Sequence, residues 1–184
     1  MSYQLQGFEG KHVIFIGQGR EWESFQNFIT KHASLKSLQS IFITDENRAE
    51  YDEKLRSLDF TDTVIVKTAG YPGRLVPAPY TTPTKVFFDC VKQIGAKTVG
   101  VTGTKGKTTC ASLLAHMLQR SGKHVVLAGN MGVPMLDTLE NITDQTIAVL
   151  ELSSYQLNEL EVSPDVAIIT NLYRDHVDYH GSLE

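Results

Sequence analysis

Apolar residues follow two patterns along this chain. Some form short unbroken runs closed by turn residues. Others recur three and four positions apart over longer stretches. His12–Ile16 is a short run that ends at Gly17 and predicts a buried strand. Trp22, Phe25, Phe28 and Ile29 fall at helical spacing and predict a helix over Glu21–His32. Ser40–Thr44 predicts a second strand, Glu50–Ser57 a weak helix, and Thr63–Lys67 a third strand. Gly70-Tyr71-Pro72-Gly73, with further prolines at 77, 79 and 83, interrupts the pattern and predicts loop. Thr84–Ile94 predicts a helix leading into the next unit.

The alternation restarts at Lys97. Strands are expected at Thr98–Thr102, His124–Ala128, Thr146–Glu151 and Val166–Thr170, with a long helix over Lys107–Ser121. Strand, helix, strand, repeated twice, predicts an α/β chain with parallel sheets and right-handed crossovers. The expected boundary near residue 94 divides it into domains of 1–94 and 95–184.

The second domain carries the clearest chemistry. Its first strand runs into Gly103-Thr104-Lys105-Gly106-Lys107-Thr108-Thr109 and then a helix. Glycines let backbone turn tightly and approach a phosphate closely. Loop N–H groups and a helix N-terminus offer partial positive charge. Lys107 can reach outer phosphates, and the Thr108 hydroxyl can ligate Mg²⁺. The strict phosphate-loop pattern also requires a glycine where this chain has Val101, so the form here is the shorter G-x-x-G-K-T-T. A helix-start turn is the bland alternative. The preceding strand and following helix favour an ATP-binding phosphate loop.

Composition narrows the partners. Net charge is −4, from 17 Lys and Arg against 21 Asp and Glu, which argues against bulk nucleic-acid binding. It does not exclude an anionic small ligand held by one local loop. Cys90 and Cys110 form neither a disulfide framework nor a zinc pattern, and suit a reduced compartment. No signal-peptide pattern opens the chain, and no apolar run approaches the ~18 residues of a membrane span. The expectation is a cytoplasmic protein without membrane insertion.

Four segments then align with one family: Thr102–Thr109, Gly129-Asn130-Met131-Gly132, Glu151–Leu157 (ELSSYQL) and Asn171–His180 (NLYRDHVDYH). In this order and spacing they resemble the Mur ligases of peptidoglycan synthesis. The ELSSYQL form is most similar to the D-glutamate-adding members. The resemblance is strong over residues 97–180 and loose over 1–96. It implies a Rossmann-like N-terminal domain that binds the UDP part of the substrate, followed by a phosphate-loop NTPase-like domain. It implies ATP and Mg²⁺ as cofactors, UDP-N-acetylmuramoyl-L-alanine and D-glutamate as substrates, and an acyl phosphate on the way to an amide.

The resemblance also implies site roles. Lys107 would contact the β- and γ-phosphates. Thr108 would hold one Mg²⁺, Glu151 a second, and His176 would join Glu151 as a ligand. Asn130 would contact the nucleotide-sugar substrate. Histidine is an unusual magnesium ligand, so on its chemistry alone His176 would suit a softer metal.

Several residues have plainer roles open to them. Ser153, Ser154 and Gln156 can cap the helix after their strand; Ser153 is also a candidate substrate contact. Asp175, His176, Asp178 and His180 can form a solvated polar loop. Cys110 can be a small packed residue rather than an activated thiol. In the first domain, Gly17-Gln18-Gly19 begins like a dinucleotide fingerprint, but Trp22 stands where the third glycine belongs. Gly17 and Asp45, which is expected at the end of the second strand, are the candidate uridine-nucleotide contacts. Asp45 is equally placed to be a turn residue. Thr68–Gly73 matches the family's substrate loop poorly.

A family member would continue into the rest of the ATPase domain, with a modified lysine, and into a third domain. The expectation is therefore a fragment with negligible ligase activity by itself. The alternatives are another ligase of the Mur or folylpolyglutamate type, and a non-catalytic nucleotide-binding module.

Overall fold

The computed structural model describes residues 3–130 and 132–176. The chain divides into two compact units, Met1–Cys90 and Val91–Glu184.

In the first unit, β1 (His12–Ile16) lies between β2 (Ser37–Ile41) and β3 (Thr63–Lys67), and β3 pairs with the two-residue β4 (Tyr80–Thr81). All four strands are parallel, in the order β2-β1-β3-β4. The central strand β1 reads as one apolar run because both of its faces are covered. Helix α1 (Arg20–His32) stacks Trp22 and Phe25 on Phe15, with ring centroids 5.2 and 5.3 Å apart. Ile14, Ile16 and Ile65 pack instead with Leu55 of α2 (Arg48–Arg56).

The second strand differs from its expected position. The apolar run at 40–44 suggested Ser40–Thr44, whereas pairing with β1 begins at Ser37 and ends at Ile41. The pairing is set upstream, where Lys36 N donates to Lys11 O at 2.8 Å. At a sheet edge a strand can carry polar Ser37, Gln39 and Ser40. Ile43 still buries its side chain, beyond the ladder, while Phe42 is exposed. The proline-rich stretch read as loop contains a 3₁₀ turn, Gly73–Leu75, and β4. The strand escapes a sequence reading because two residues are too few to show a period.

In the second unit, β5 (Lys97–Thr102) lies between β7 (Thr146–Glu151) and β8 (Val166–Ile169), with β6 (His124–Gly129) outside β7. The sheet is parallel, in the order β6-β7-β5-β8. Helix α4 (Lys107–Arg120) lays Ala111 and Ala115 against Val101 and Val149. These small residues let the helix approach the sheet closely. The remaining α-helices among the described residues are α3 (Pro83–Ile94) and the single turn α5 (Ser154–Leu157). No helix among the described residues is long and apolar enough to cross a membrane.

A polar clamp fixes the start of β8 on β5. Asp165 Oδ2 accepts from Thr98 N and Thr98 Oγ1, both at 2.8 Å, and Asp165 N donates back to Thr98 Oγ1 at 2.9 Å. These hydrogen bonds, with a smaller contribution from the Lys97 charge, hold the Asp165 carboxyl below its ordinary pKa. A depressed folded-state pKa gives stability that is present above the unfolded value, ~3.9, and lost as pH falls through the folded one. Asp165→Asn is therefore expected to lower stability at neutral pH and to flatten the acid limb of the stability curve below pH ~4. Urea midpoints measured from pH 2 to 7 test this, and an unchanged acid limb would refute it.

Candidate functional site

The C-terminal ends of β5, β6, β7 and β8 converge, and loops leaving them enclose a cleft of about 750 Å³. Open α/β sheets bind ligands in such crevices. Thr102, Gly103, Thr104 and Lys107 line it from the phosphate loop, Asn130 from the end of β6, and Ser153 and Tyr155 from the turn after β7. Tyr173, Asp175 and His176 line it from the segment after β8.

The loop is built as the strand–loop–helix sequence requires. Gly106 stands at the start of α4 in the left-handed region, with φ 82°. Gly103 has φ 132°, and a Cβ there would strike the Thr170 hydroxyl and lie 2.8 Å from Asn171 O. Only glycine lets the segment after β8 close on the loop at this point. Lys107 Nζ folds over the loop and donates to Gly103 O at 2.7 Å and Thr104 O at 3.2 Å. Lys105, Thr108 and Thr109 are exposed.

Glu151 closes β7 and is buried, 3% exposed. Its Oε1 lies 3.5 Å from Asn130 Nδ2, and its main-chain oxygen accepts from Asn130 N at 2.9 Å. The carboxylate therefore sits directly behind Asn130. His176 has φ 50°, uncommon for a residue with a Cβ. Its ring centroid is 4.8 Å from that of Tyr155, and its Nε2 is 3.8 Å from Asp175 Oδ2. Asp178 and His180 lie outside the described residues.

Among the described residues no three His, Cys, Asp or Glu side chains gather into a metal cluster. Magnesium differs from zinc here. It keeps several waters and commonly takes one or two carboxylates plus phosphate oxygens. A buried hard carboxylate at Glu151 and a hydroxyl at Thr108 fit that donor chemistry. The His176 imidazole fits it less well.

Ser153 lines the cleft and also has a structural role. Its Oγ accepts from Gln156 N at 3.3 Å, and Gln156 Oε1 accepts from Ser153 N at 2.9 Å, which makes a capping box for α5. Both cysteines are free; burial, with the neighbouring Asp89 charge, pushes the Cys90 thiol to about 12 and leaves it inert.

In the first unit, Gly17 ends β1 with its N–H donated to Ile41 O at 2.9 Å and its carbonyl accepting from Ser40 Oγ at 2.6 Å. A Cβ on Gly17 would meet the Thr68 side chain. Glu21 accepts from the Thr68 hydroxyl and, at 3.2 Å, from Ala69 N. Burial raises its pKa, against the pull of those two donors and the Lys67 charge. Gly17 and Glu21 are thus tied to the protein itself. Asp45 lies four residues past the end of β2, exposed, where Oδ1 accepts from Arg48 at 2.9 Å. Arg48 also donates to the Tyr71 hydroxyl at 3.0 Å. That pairing joins the start of α2 to a loop far away in sequence, and spacing alone gave no sign of it. The same holds for the Tyr155–His176 contact and for the bonds from Thr170 and Asn171 to the phosphate loop.

Residues 101–184 match the family model described as Mur ligase middle domain. A UDP-N-acetylmuramoylalanine--D-glutamate ligase of Leuconostoc citreum (strain KM20) is 29% identical over 97% of this chain and 44% of its own length. The enzyme of the same name from Streptococcus mutans is 30% identical over 98% of this chain and 44% of its own length. That from Wolbachia pipientis wMel is 48% identical over 50% of this chain and 18% of its own length. A solved structure, the UDP-N-acetylmuramate:L-alanyl-gamma-D-glutamyl-meso-diaminopimelate ligase from Neisseria meningitides, aligns with 95% of this chain and 64% of its own at 20% identity and a TM-score of 0.47. The chain spans 44% of the length of the first two relatives.

Proposed function

Because the chain belongs to the Mur ligase family, we propose that its second unit is the ATP-holding part of an amide ligase that joins D-glutamate to UDP-N-acetylmuramoyl-L-alanine in the cytoplasm. The observation that carries this is one cleft, at the ends of parallel strands, lined by Lys107 of a glycine-bounded loop together with Asn130 and His176.

In this reading Gly103 to Thr109 cradle the triphosphate. The N–H groups at the start of α4 face its charge, and Lys107 leaves the Gly103 and Thr104 carbonyls to meet the β- and γ-phosphates. Phosphoryl transfer depends mainly on positioning and charge neutralisation, so Mg²⁺ and Lys107 matter more in that step than an acid–base pair. A substrate carboxylate oxygen attacks the γ-phosphorus and ADP leaves. The D-glutamate amine then attacks the acyl carbon, its proton leaves with the departing inorganic phosphate or to water, and the amide remains. Magnesium, when bound, would neutralise phosphate charge; Thr108 would hold one ion, and Glu151 with His176 a second. Asn130, directly in front of Glu151, meets the nucleotide-sugar near its phosphates. In the first unit Gly17 serves by lacking a Cβ beside Thr68, and Asp45 with Arg48 meets the uridine part.

Isothermal titration of the chain with ATP·Mg²⁺, and separately with UDP-N-acetylmuramoyl-L-alanine, tests both halves. Saturable heat is expected from each. A chain that bound a folate and not the uridine nucleotide would move the assignment to a folylpolyglutamate-type ligase. Silence towards ATP would end the ligase reading of this cleft.

A further inference from the structure

We infer that Asn171 is a positioning residue for the phosphate loop, acting through the peptide groups that hold Lys107. This rests on the reading of the cleft as an ATP site. The loop is short, because Val101 belongs to β5 where a longer phosphate loop would have its first glycine. It has few residues with which to brace itself, and the segment after β8 supplies the brace.

Asn171 makes three of these bonds. Its side-chain Oδ1 accepts from Lys105 N at 3.0 Å and its Nδ2 donates to Lys105 O at 2.9 Å. Its main-chain oxygen accepts from Thr104 N at 3.1 Å. The amide therefore pairs with both main-chain groups of one loop residue, as a neighbouring strand would. Thr170 Oγ1 donates to the same Lys105 oxygen at 2.7 Å, and Tyr173 N donates to Thr104 Oγ1 at 2.9 Å.

These bonds fix the peptide groups at 104 and 105. Lys107 Nζ hangs on the carbonyls of Gly103 and Thr104. The path from Asn171 to the ammonium is thus two hydrogen-bonded steps through main chain. A loop held this way presents its N–H groups and its lysine in one arrangement before phosphate arrives, and the ordering cost of binding falls. Asn171 itself touches no phosphate in this scheme.

Asn171→Ala removes both side-chain bonds. With both lost, ATP·Mg²⁺ binding by the intact chain should weaken about tenfold or more. Mg²⁺–tripolyphosphate should weaken by a similar factor, since the loop holds phosphate and not base. Amide exchange at Lys105 should accelerate while the β5 amides keep their protection, a pattern that a general loss of stability would not give. Thr170→Val, close in shape and lacking one donor to Lys105 O, should weaken ATP·Mg²⁺ by about threefold, and tests the same brace if Asn171→Ala does not fold. Unchanged affinity in a folded Asn171→Ala chain overturns the positioning role and leaves the ATP site standing. A wild-type chain that binds neither ATP nor tripolyphosphate overturns both.

Discussion

Replacing Lys107 by alanine is expected to weaken ATP·Mg²⁺ binding by about 10- to 100-fold while leaving the fold intact. The reason lies in what the ammonium does in each state. Its Nζ donates to Gly103 O and Thr104 O, two carbonyls at the mouth of the cleft. Those carbonyls belong to a partly exposed loop, so water can replace the ammonium when it is removed. Meeting a triphosphate is different. There the ammonium makes charge-assisted hydrogen bonds worth about 1.5–3 kcal/mol, which sets the 10- to 100-fold range. Lys107→Arg keeps the charge but changes its shape, and a planar fork does not reproduce a compact point charge against a phosphate edge. It should bind between wild type and alanine. Titration calorimetry of the three chains, with thermal melts of each without ligand, gives the comparison. Wild-type affinity in Lys107→Ala would exclude the loop as the phosphate cradle.

The periods of the sequence carried most of the fold. Helix α1 was visible because Trp22, Phe25, Phe28 and Ile29 mark one face, and β5 because its run ends in a glycine-bounded loop. The turn from β5 into α4 at Gly103–Thr109 was legible for a related reason: its glycines and polar residues are consecutive. Periodicity failed where pairing, not burial, decides. The strand β2 is polar at Ser37, Gln39 and Ser40 and is chosen by its ladder with β1, so an apolar reading slid it three residues onward. The supports of the site were hidden in a third way. Asn171 braces Lys105 across a sequence separation of 66, and Tyr155 meets His176 from another strand end. A polar residue just past a strand marks a loop, and nothing in its spacing says which loop it will hold.

The largest stability effect is expected at Gly129, the first residue of the Gly129-Asn130-Met131-Gly132 segment. It closes β6 opposite Glu151 of β7, with φ 125°. An added Cβ would collide with the Glu151 main-chain oxygen and lie 2.9 Å from Glu151 N. Neither atom can yield cheaply, because β7 is paired on its other side with β5. Gly129→Ala should therefore cost about 2–5 kcal/mol, from a backbone conformation closed to residues with a Cβ together with overpacking. Gly122→Ala is the matched control. Its φ is 80°, and an added Cβ there meets nothing within 4 Å, so only the conformational cost of about 1–2 kcal/mol should appear. The same change should reach the site. Asn130 follows Gly129 directly and donates from its backbone to Glu151 O, so displacing one strand end separates the amide from the carboxylate behind it. Any Gly129→Ala chain that stays folded should then lose affinity for the nucleotide-sugar more than for ATP, whose loop leaves a different strand. Urea denaturation of both variants with titrations of the folded ones tests this, and equal costs for Gly129→Ala and Gly122→Ala would show that the contact with Glu151 relaxes without penalty.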